Sequence, residues 1–172
     1  ITEGLVGSEM CIRDSNIDYI NKICINAKLS SKEISCLSES KKNLILKSLT
    51  DQINLKRDGI KDANSKDIEE LKLTDNFNNA FVDRLLIDDA RIDSMISSIS
   101  EIIAFKDPVG EITNIKEMSS GIKVGKMSMP LGVIAMIYES RPNVTIDASA
   151  LCIKSGNSII LRGGSESINT NI

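Results

Sequence analysis

"LGVIAMIYESRPNVTIDASALCIKSGNSIILRGG", Leu131–Gly164, changes its hydrophobic period twice, and those changes set the fold class. The opening run, as far as Tyr138, is unbroken in its apolar character, as a strand buried on both faces tends to be. After the polar "ESRPN", apolar residues recur at Val144, Ile146, Ala148, Leu151, Cys152 and Ile153, which reads as a helix, with Gly156 placed to end it in a left-handed cap. "NSIILRGG" is a second short apolar strand closed by two glycines. Strand, helix and strand at this length form a β-α-β unit, whose parallel crossover is right-handed.

Upstream, "EITNIKEM" and "IKVGKMSM" alternate polar and apolar residues around "SSG" and predict an antiparallel hairpin or paired extended segments. Most of the first hundred residues read as helix. Ile17, Ile20, Ile23, Cys24 and Ala27 keep helical spacing as far as Leu29. "SESKKNLILKSLTDQINL" continues through Leu46, Leu49 and Ile53, with Ser38 or Ser40 as N-cap. "RDGIKDANSKDIEELK" reads as a further segment, kinked or broken near Gly59. Thr74 or Asp75 is expected to cap a short helix through Phe77, Phe81 and Leu85. Asp88 or Asp89 is expected to cap another, with the stripe Ile92, Met95, Ile96, Ile99, Ile102 and Ile103.

With 172 residues and 41% hydrophobic content, the chain can build one ordinary domain or a piece of a larger one. Its 21 basic and 24 acidic residues are intermixed, giving a net charge of −3 and no basic footprint for nucleic acid or anionic lipid. A small-molecule or protein partner fits better. The absence of histidine removes histidine bases, triads and metal ligands from this segment. Cys11, Cys24, Cys36 and Cys152 form neither a CxxC pair nor a disulfide framework, which suits reduced thiols in a cytoplasmic compartment, and no metal site is expected. No apolar run approaches the roughly 18 residues of a membrane span. Residues 1–15 lack signal-peptide character and do not begin with Met, so they are set aside as non-native or disordered, and the chain is expected to be a fragment.

In open parallel sheets, ligands bind at the carboxyl ends of the strands, where "ESRPN" and "RGGSE" both fall. Pro142 fixes its own φ and pushes Arg141 toward extended geometry, which stiffens the loop and aims Asn143. Asn143 reads as a helix N-cap or as an amide donor to a developing oxyanion. Arg141 reads as a site residue or as the partner of a nearby acid. Gly163 and Gly164 would let backbone approach a cofactor, with Arg162 on its phosphate or ribose; the alternative is a glycine turn beside a solvated arginine. Cys152 lies on the helix's apolar face and reads as a packed thiol.

"GVIAMIYESRPNVT" together with "CIKSGNSIILRGGSE" resembles the amino-terminal half of the γ-glutamyl phosphate reductase family, also called glutamate-5-semialdehyde dehydrogenases. General aldehyde dehydrogenases usually read Pro-Trp-Asn in the first loop and carry a Lys-Pro pair in the second. Upstream, "FVDRLLIDDARIDSMISSISEIIAFKDPVGEI" is similar to the same family's helical segment. The likeness weakens toward residue 16.

The resemblance implies an α/β, aldehyde dehydrogenase-like fold. Residues 16–107 would be the helical segment of the cofactor domain, 108–130 extended segments toward an oligomerisation sheet, and 131–172 the start of the Rossmann-like sheet, with the catalytic domain absent. The implied reaction, in proline biosynthesis, is NADPH-dependent reduction of γ-glutamyl phosphate to glutamate 5-semialdehyde with release of phosphate, through a cysteine acyl-thioenzyme. Carried over by position, Asn143 matches the oxyanion asparagine. Tyr138, Glu139, Ser140 and Arg141 match the segment passing the nicotinamide side of NADPH or NADP, and Arg162, Gly163, Gly164, Ser165 and Glu166 the segment near the adenosine ribose. None of the four cysteines aligns with the nucleophile, which lies downstream in the family, so the fragment alone is expected to be inactive. A homo-oligomer, functional coupling to glutamate 5-kinase and a cytoplasmic location are further implications. The alternatives are the reductase half of a fused kinase-reductase and a non-catalytic nucleotide-binding or interaction module.

Overall fold

A computed structural model describes residues 6–73, 78–139 and 141–171, with side chains from residue 17 onward. Five helices lead the chain: α1 (Val6–Ser35), α2 (Glu39–Leu55), α3 (Arg57–Lys72), α4 (Asn79–Leu85) and α5 (Asp89–Ala104). The hairpin β1 (Ile112–Glu117) and β2 (Lys123–Met127) follows, then β3 (Val133–Ile137), α6 (Pro142–Lys154) and β4 (Ser158–Arg162). A 3₁₀ turn at Ser165–Ser167 leads into α7 (Ile168–Asn171).

β3 and β4 pair in parallel from Val133 opposite Ser158 to Ile137 opposite Arg162, so the loops after both strands open at the same end of the sheet. α6 makes the crossover and stops where the sequence signals. Gly156 has φ +73°, its amide bonds the Ile153 carbonyl at 3.1 Å, and the Asn157 amide bonds the Cys152 carbonyl at 2.8 Å. That paired arrangement is a Schellman cap, which satisfies the last carbonyls of α6 and turns the chain into β4. In the hairpin, β1 and β2 are antiparallel with a register shift between Thr113 and Lys116. Asn114 sits there at φ +55°, a conformation that asparagine tolerates better than most residues.

The buried core joins α2, α5 and α6 through Leu46, Ile53, Ile92, Ile99, Ile102 and Ala150. Asp88 caps α5 as expected, accepting from the Arg91 amide at 2.8 Å. Buried polar side chains fasten the helices. Lys42 Nζ lies 2.8 Å from Asp107, tying α2 to the chain beyond α5. Lys154 Nζ donates to Asn43 at 2.8 Å and to the Ile103 carbonyl at 3.0 Å, tying α6 to α2 and α5. On α3, Asn64 accepts from the Ile87 amide at 2.7 Å and donates to the Leu85 carbonyl at 2.8 Å. One turn on, the Asp67 carboxylate accepts from the backbone amides of Asn169 at 3.0 Å and Thr170 at 2.8 Å, and from both of their side chains.

Several sequence expectations need correction. The break between α2 and α3 falls at Lys56, while Gly59 lies inside α3 with open space where a Cβ would stand. A lone exposed glycine costs a helix only about 1 kcal/mol, too little to interrupt one whose other face is packed. β3 is only partly covered, and Ile137 at its end is 82% exposed. Among the described residues β3 has one hydrogen-bonded neighbour, β4, so an apolar run that reads as a central strand stands at a sheet edge. α1 is helical from Val6, earlier than the periodicity of Ile17 onward predicts. Much of its stripe faces solvent, including Ile17 and Ile20, while Ile23, Ala27 and Ile34 lie toward β4. α4 is capped by Asn78, whose side chain accepts from the Phe81 amide; Thr74, Asp75 and Phe77 lie outside the described residues. Among the described residues, no helix is long and apolar enough to cross a membrane.

Candidate functional site

The strand-end loops are bound to each other. Beyond β3, the Tyr138 amide donates to the Arg162 carbonyl at 3.1 Å, which carries the parallel pairing one step past both strands. The Tyr138 hydroxyl then meets Thr145 Oγ1 at 2.5 Å, and Thr145 donates to Asn171 Oδ1 at 2.7 Å. Because the Thr145 proton is committed to Asn171, Tyr138 is the donor to Thr145. Asn171 Nδ2 donates onward to Ser167 Oγ at 2.8 Å, and Ser167 to the Gly164 carbonyl at 3.3 Å. The chain of donors runs from β3 through α6 to the turn after β4.

Gly163 is fitted to this network. A Cβ there would stand 2.9 Å from Asn171 Nδ2 and 3.1 Å from the Tyr138 hydroxyl, so the glycine lets the loop close on the tyrosine. Arg162, Gly163, Gly164 and Ser165 line a cavity of about 380 Å³ with Tyr138 and Thr145. Arg162 donates to the Gly163 carbonyl at 2.5 Å, and Glu166 is half-buried in the 3₁₀ turn beside it. The carboxyl ends of parallel strands, where this cavity lies, are where open α/β sheets bind their ligands.

The second part of the site surrounds the start of α6. Arg141 is the N-cap residue and Pro142 the first helical residue, so Asn143 stands two places too far along to cap the helix. Its amide is exposed. Proline suits that first position because its missing amide hydrogen would have had no intrahelical acceptor. The cap reading of Asn143 is therefore overturned. Arg141 makes no ion pair among the described residues; the loop's pair is Arg84 with Glu139, at 4.0 Å and largely exposed. Ser140 lies outside the described residues.

A cavity of about 330 Å³ opens beside Asn143, walled by α6 on one side and by α5 with the end of α4 on the other. Arg84, Arg91 and Arg141 bring cations to it, and Asp147 brings a carboxylate one turn after Asn143. Arg91 is held by Asp83 at 3.0 Å and by the Leu86 carbonyl at 2.6 Å. Asp147 Oδ1 is buried and has no hydrogen-bond partner. Burial pushes the Asp147 carboxyl above the ordinary range, and the Asn143 side chain draws it partly back.

Cys152 is buried and burial raises its thiol pKa, as a packed structural cysteine requires; it lines neither polar cavity. Cys24 is exposed on α1 and Cys36 in the turn that follows it, and the side chain of Cys11 lies outside the described residues. No cluster of metal-ligating side chains occurs among the described residues. Sequence reasoning missed Arg84, Arg91 and Asp147. Only Asp147 carried a signal, its four-residue spacing from Asn143 on one helix face.

No family model matches the chain. Related proteins are nevertheless close. The chain is 49% identical over 158 residues to γ-glutamyl phosphate reductase of Ruthia magnifica subsp. Calyptogena magnifica, covering 92% of this chain and 38% of that protein. It is 45% identical over 155 residues to the Aquifex aeolicus γ-glutamyl phosphate reductase, covering 90% of this chain and 35% of that protein. In structure it matches γ-glutamyl phosphate reductase from Thermotoga maritima with a TM-score of 0.80 at 36% identity, over 84% of this chain and 35% of that one. A protein assigned as an aldehyde dehydrogenase from Listeria monocytogenes EGD-e matches with a TM-score of 0.62 at 18% identity, over 90% of this chain and 31% of that one, a likeness of fold alone.

The helical lead, the hairpin and the β-α-β unit thus form a segment with the fold shared by these γ-glutamyl phosphate reductase and aldehyde dehydrogenase structures. Over about nine-tenths of its length the chain is similar to γ-glutamyl phosphate reductases, and it spans a little over a third of the length of the curated relatives it matches.

Proposed function

We propose that this chain supplies the oxyanion donor and part of the cofactor site of a γ-glutamyl phosphate reductase of proline biosynthesis. The observation that carries the reading is the Asn143 amide, excluded from capping by Arg141 and Pro142 and presented at the carboxyl end of a parallel strand pair. In the reaction, γ-glutamyl phosphate is reduced to glutamate 5-semialdehyde and phosphate is released. A cysteine beyond this segment displaces phosphate to form an acyl-thioenzyme. Asn143 donates to the carbonyl oxygen as it gains negative charge, a contribution of about 3 kcal/mol where such donors have been removed. NADPH supplies the hydride when bound. Its phosphates and ribose are assigned to Arg162, Gly163, Gly164, Ser165 and Glu166, and its nicotinamide side to Tyr138, Glu139, Ser140 and Arg141.

Tyr138 acts in this scheme through its hydrogen bond to Thr145, which holds both strand ends in place. The exposed β1–β2 hairpin, with Ile112, Ile115, Val124 and Met127 open to solvent, supports the assignment of residues 108–130 to an oligomerisation sheet. A homo-oligomer, coupling to glutamate 5-kinase and a cytoplasmic location follow from the same reading. The segment by itself is proposed to be inactive.

Replacing Asn143 with Ala in the full-length protein tests the assignment. The rate of the chemical step is expected to fall about 10²- to 10³-fold with the unfolding midpoint unchanged. A loss of stability with an unaltered rate would remove Asn143 from the chemistry. NADPH binding without any phosphate-dependent reaction would favour a non-catalytic nucleotide-binding module.

A further inference from the structure

The cavity beside Asn143 carries more charge than an oxyanion site requires. Three arginines surround it, and of its two carboxylates Asp83 is already paired with Arg91. Asp147 is different: its Oδ1 is buried without a hydrogen-bond partner. A buried carboxylate oxygen left in that state is costly and is ordinarily satisfied by a donor from protein, water or ligand. Burial raises the Asp147 carboxyl pKa for the same reason, and a hydrogen bond from the Asn143 side chain lowers it only in part.

We propose that Asp147 is the receptor for the α-ammonium group of the amino-acid substrate, and so determines its specificity. This rests on the reductase reading above. The spacing fits the ligand. Asn143 and Asp147 are separated by four residues of α6, a rise of about 6 Å. A five-carbon amino acid in extended form spans roughly 5 Å from its terminal carbonyl carbon to its α-nitrogen, on ordinary bond lengths. The Asn143 side chain, which bonds Asp147, passes to the carbonyl oxygen and leaves Asp147 to the ammonium group on the same helix face. Arg141, which has no ion pair among the described residues, is available at the rim for the ligand's anionic groups.

The experiment uses the full-length protein in the reverse direction, oxidising an aldehyde in the presence of phosphate and a nicotinamide nucleotide. Two aldehydes are compared: glutamate 5-semialdehyde, and glutarate semialdehyde, which has the same carbon chain without the amino group. The unmodified protein is expected to prefer the aminated aldehyde by at least about 10-fold in kcat/KM. In Asp147→Asn, kcat/KM for glutamate 5-semialdehyde is expected to fall about 10- to 100-fold, mostly through KM, with the value for glutarate semialdehyde held within about 3-fold. Equal losses with both aldehydes, or no loss with either, would overturn the assignment and leave the reductase reading standing. Should the variant fail to fold, the comparison in the unmodified protein decides: no preference for the amino group overturns the proposal. No phosphate-dependent oxidation of either aldehyde by the unmodified protein would overturn the reductase reading and this inference with it.

Discussion

Asp67→Asn is expected to release the end of the chain while leaving the helical core intact. The Asp67 carboxylate is 1% exposed and accepts from four donors on two consecutive residues, Asn169 and Thr170. A carboxamide keeps one acceptor oxygen, sufficient for the two Asn169 donors, but turns an NH₂ toward the Thr170 amide, 2.8 Å from Oδ2 in the native protein. The Thr170 hydroxyl can rotate and accept from that NH₂; the backbone amide cannot. One lost bond to a charged acceptor is worth about 1.5–3 kcal/mol, and the Asn169 pair weakens as the charge goes, so a total near 3 kcal/mol is expected.

α7 has only four residues and no stability of its own, so the loss is expected to be local. Amide hydrogen exchange reads it directly: about 3 kcal/mol corresponds to roughly a hundredfold drop in protection, confined to residues 165–171. Native-like exchange at Asn169 and Thr170 in the variant would refute the assignment of Asp67 as the anchor. So would a uniform change across α2 and α5.

Other outcomes follow from the same structure. Burial works to raise the Asp107 carboxyl pKa, but its hydrogen bonds from Lys42 and the Val109 amide and the charges of Lys42 and Lys154 prevail and hold it below the ordinary carboxylate range. The stability it contributes is present above the unfolded carboxylate pKa, about 4, and is lost as pH falls through the depressed folded value. Lys42→Ala is therefore expected to cost about 3 kcal/mol at pH 7 and clearly less at pH 3, read from urea unfolding midpoints. An equal loss at both pH values would disprove the linkage. Gly156→Ala combines a left-handed φ of +73° with a Cβ 3.0 Å from Pro130 Cγ. It is expected to destabilise by about 2 kcal/mol, and an unchanged thermal midpoint would count against the cap. Thiol labelling followed residue by residue in mass spectra is expected to modify exposed Cys24 and Cys36 well before buried Cys152, and early reaction of Cys152 would contradict its packing.

By itself, the sequence determined the local grammar. The period changes around "ESRPN", the glycine after Ser155 and the isoleucine stripe of α5 are short-range signals, and the β-α-β unit, its cap and the buried helix face all follow them. The lengths of α2 and α3 and their division at Lys56 were legible for the same reason, although no kink or break falls near Gly59, since a lone exposed glycine is a weaker breaker than its letter suggests. Tertiary structure decided what depends on distant partners. Tyr138 is joined to Asn171 through Thr145, Asp67 holds residues 169 and 170, and Arg91 comes from another helix to face Asp147 across a cavity. No periodicity encodes such meetings, because they arise when packing brings together side chains far apart along the chain. Asn143 shows both levels at once: its residue type allowed a cap or an oxyanion donor, and the placement of Arg141 and Pro142 ahead of it took the cap position and left its side chain beside Asp147.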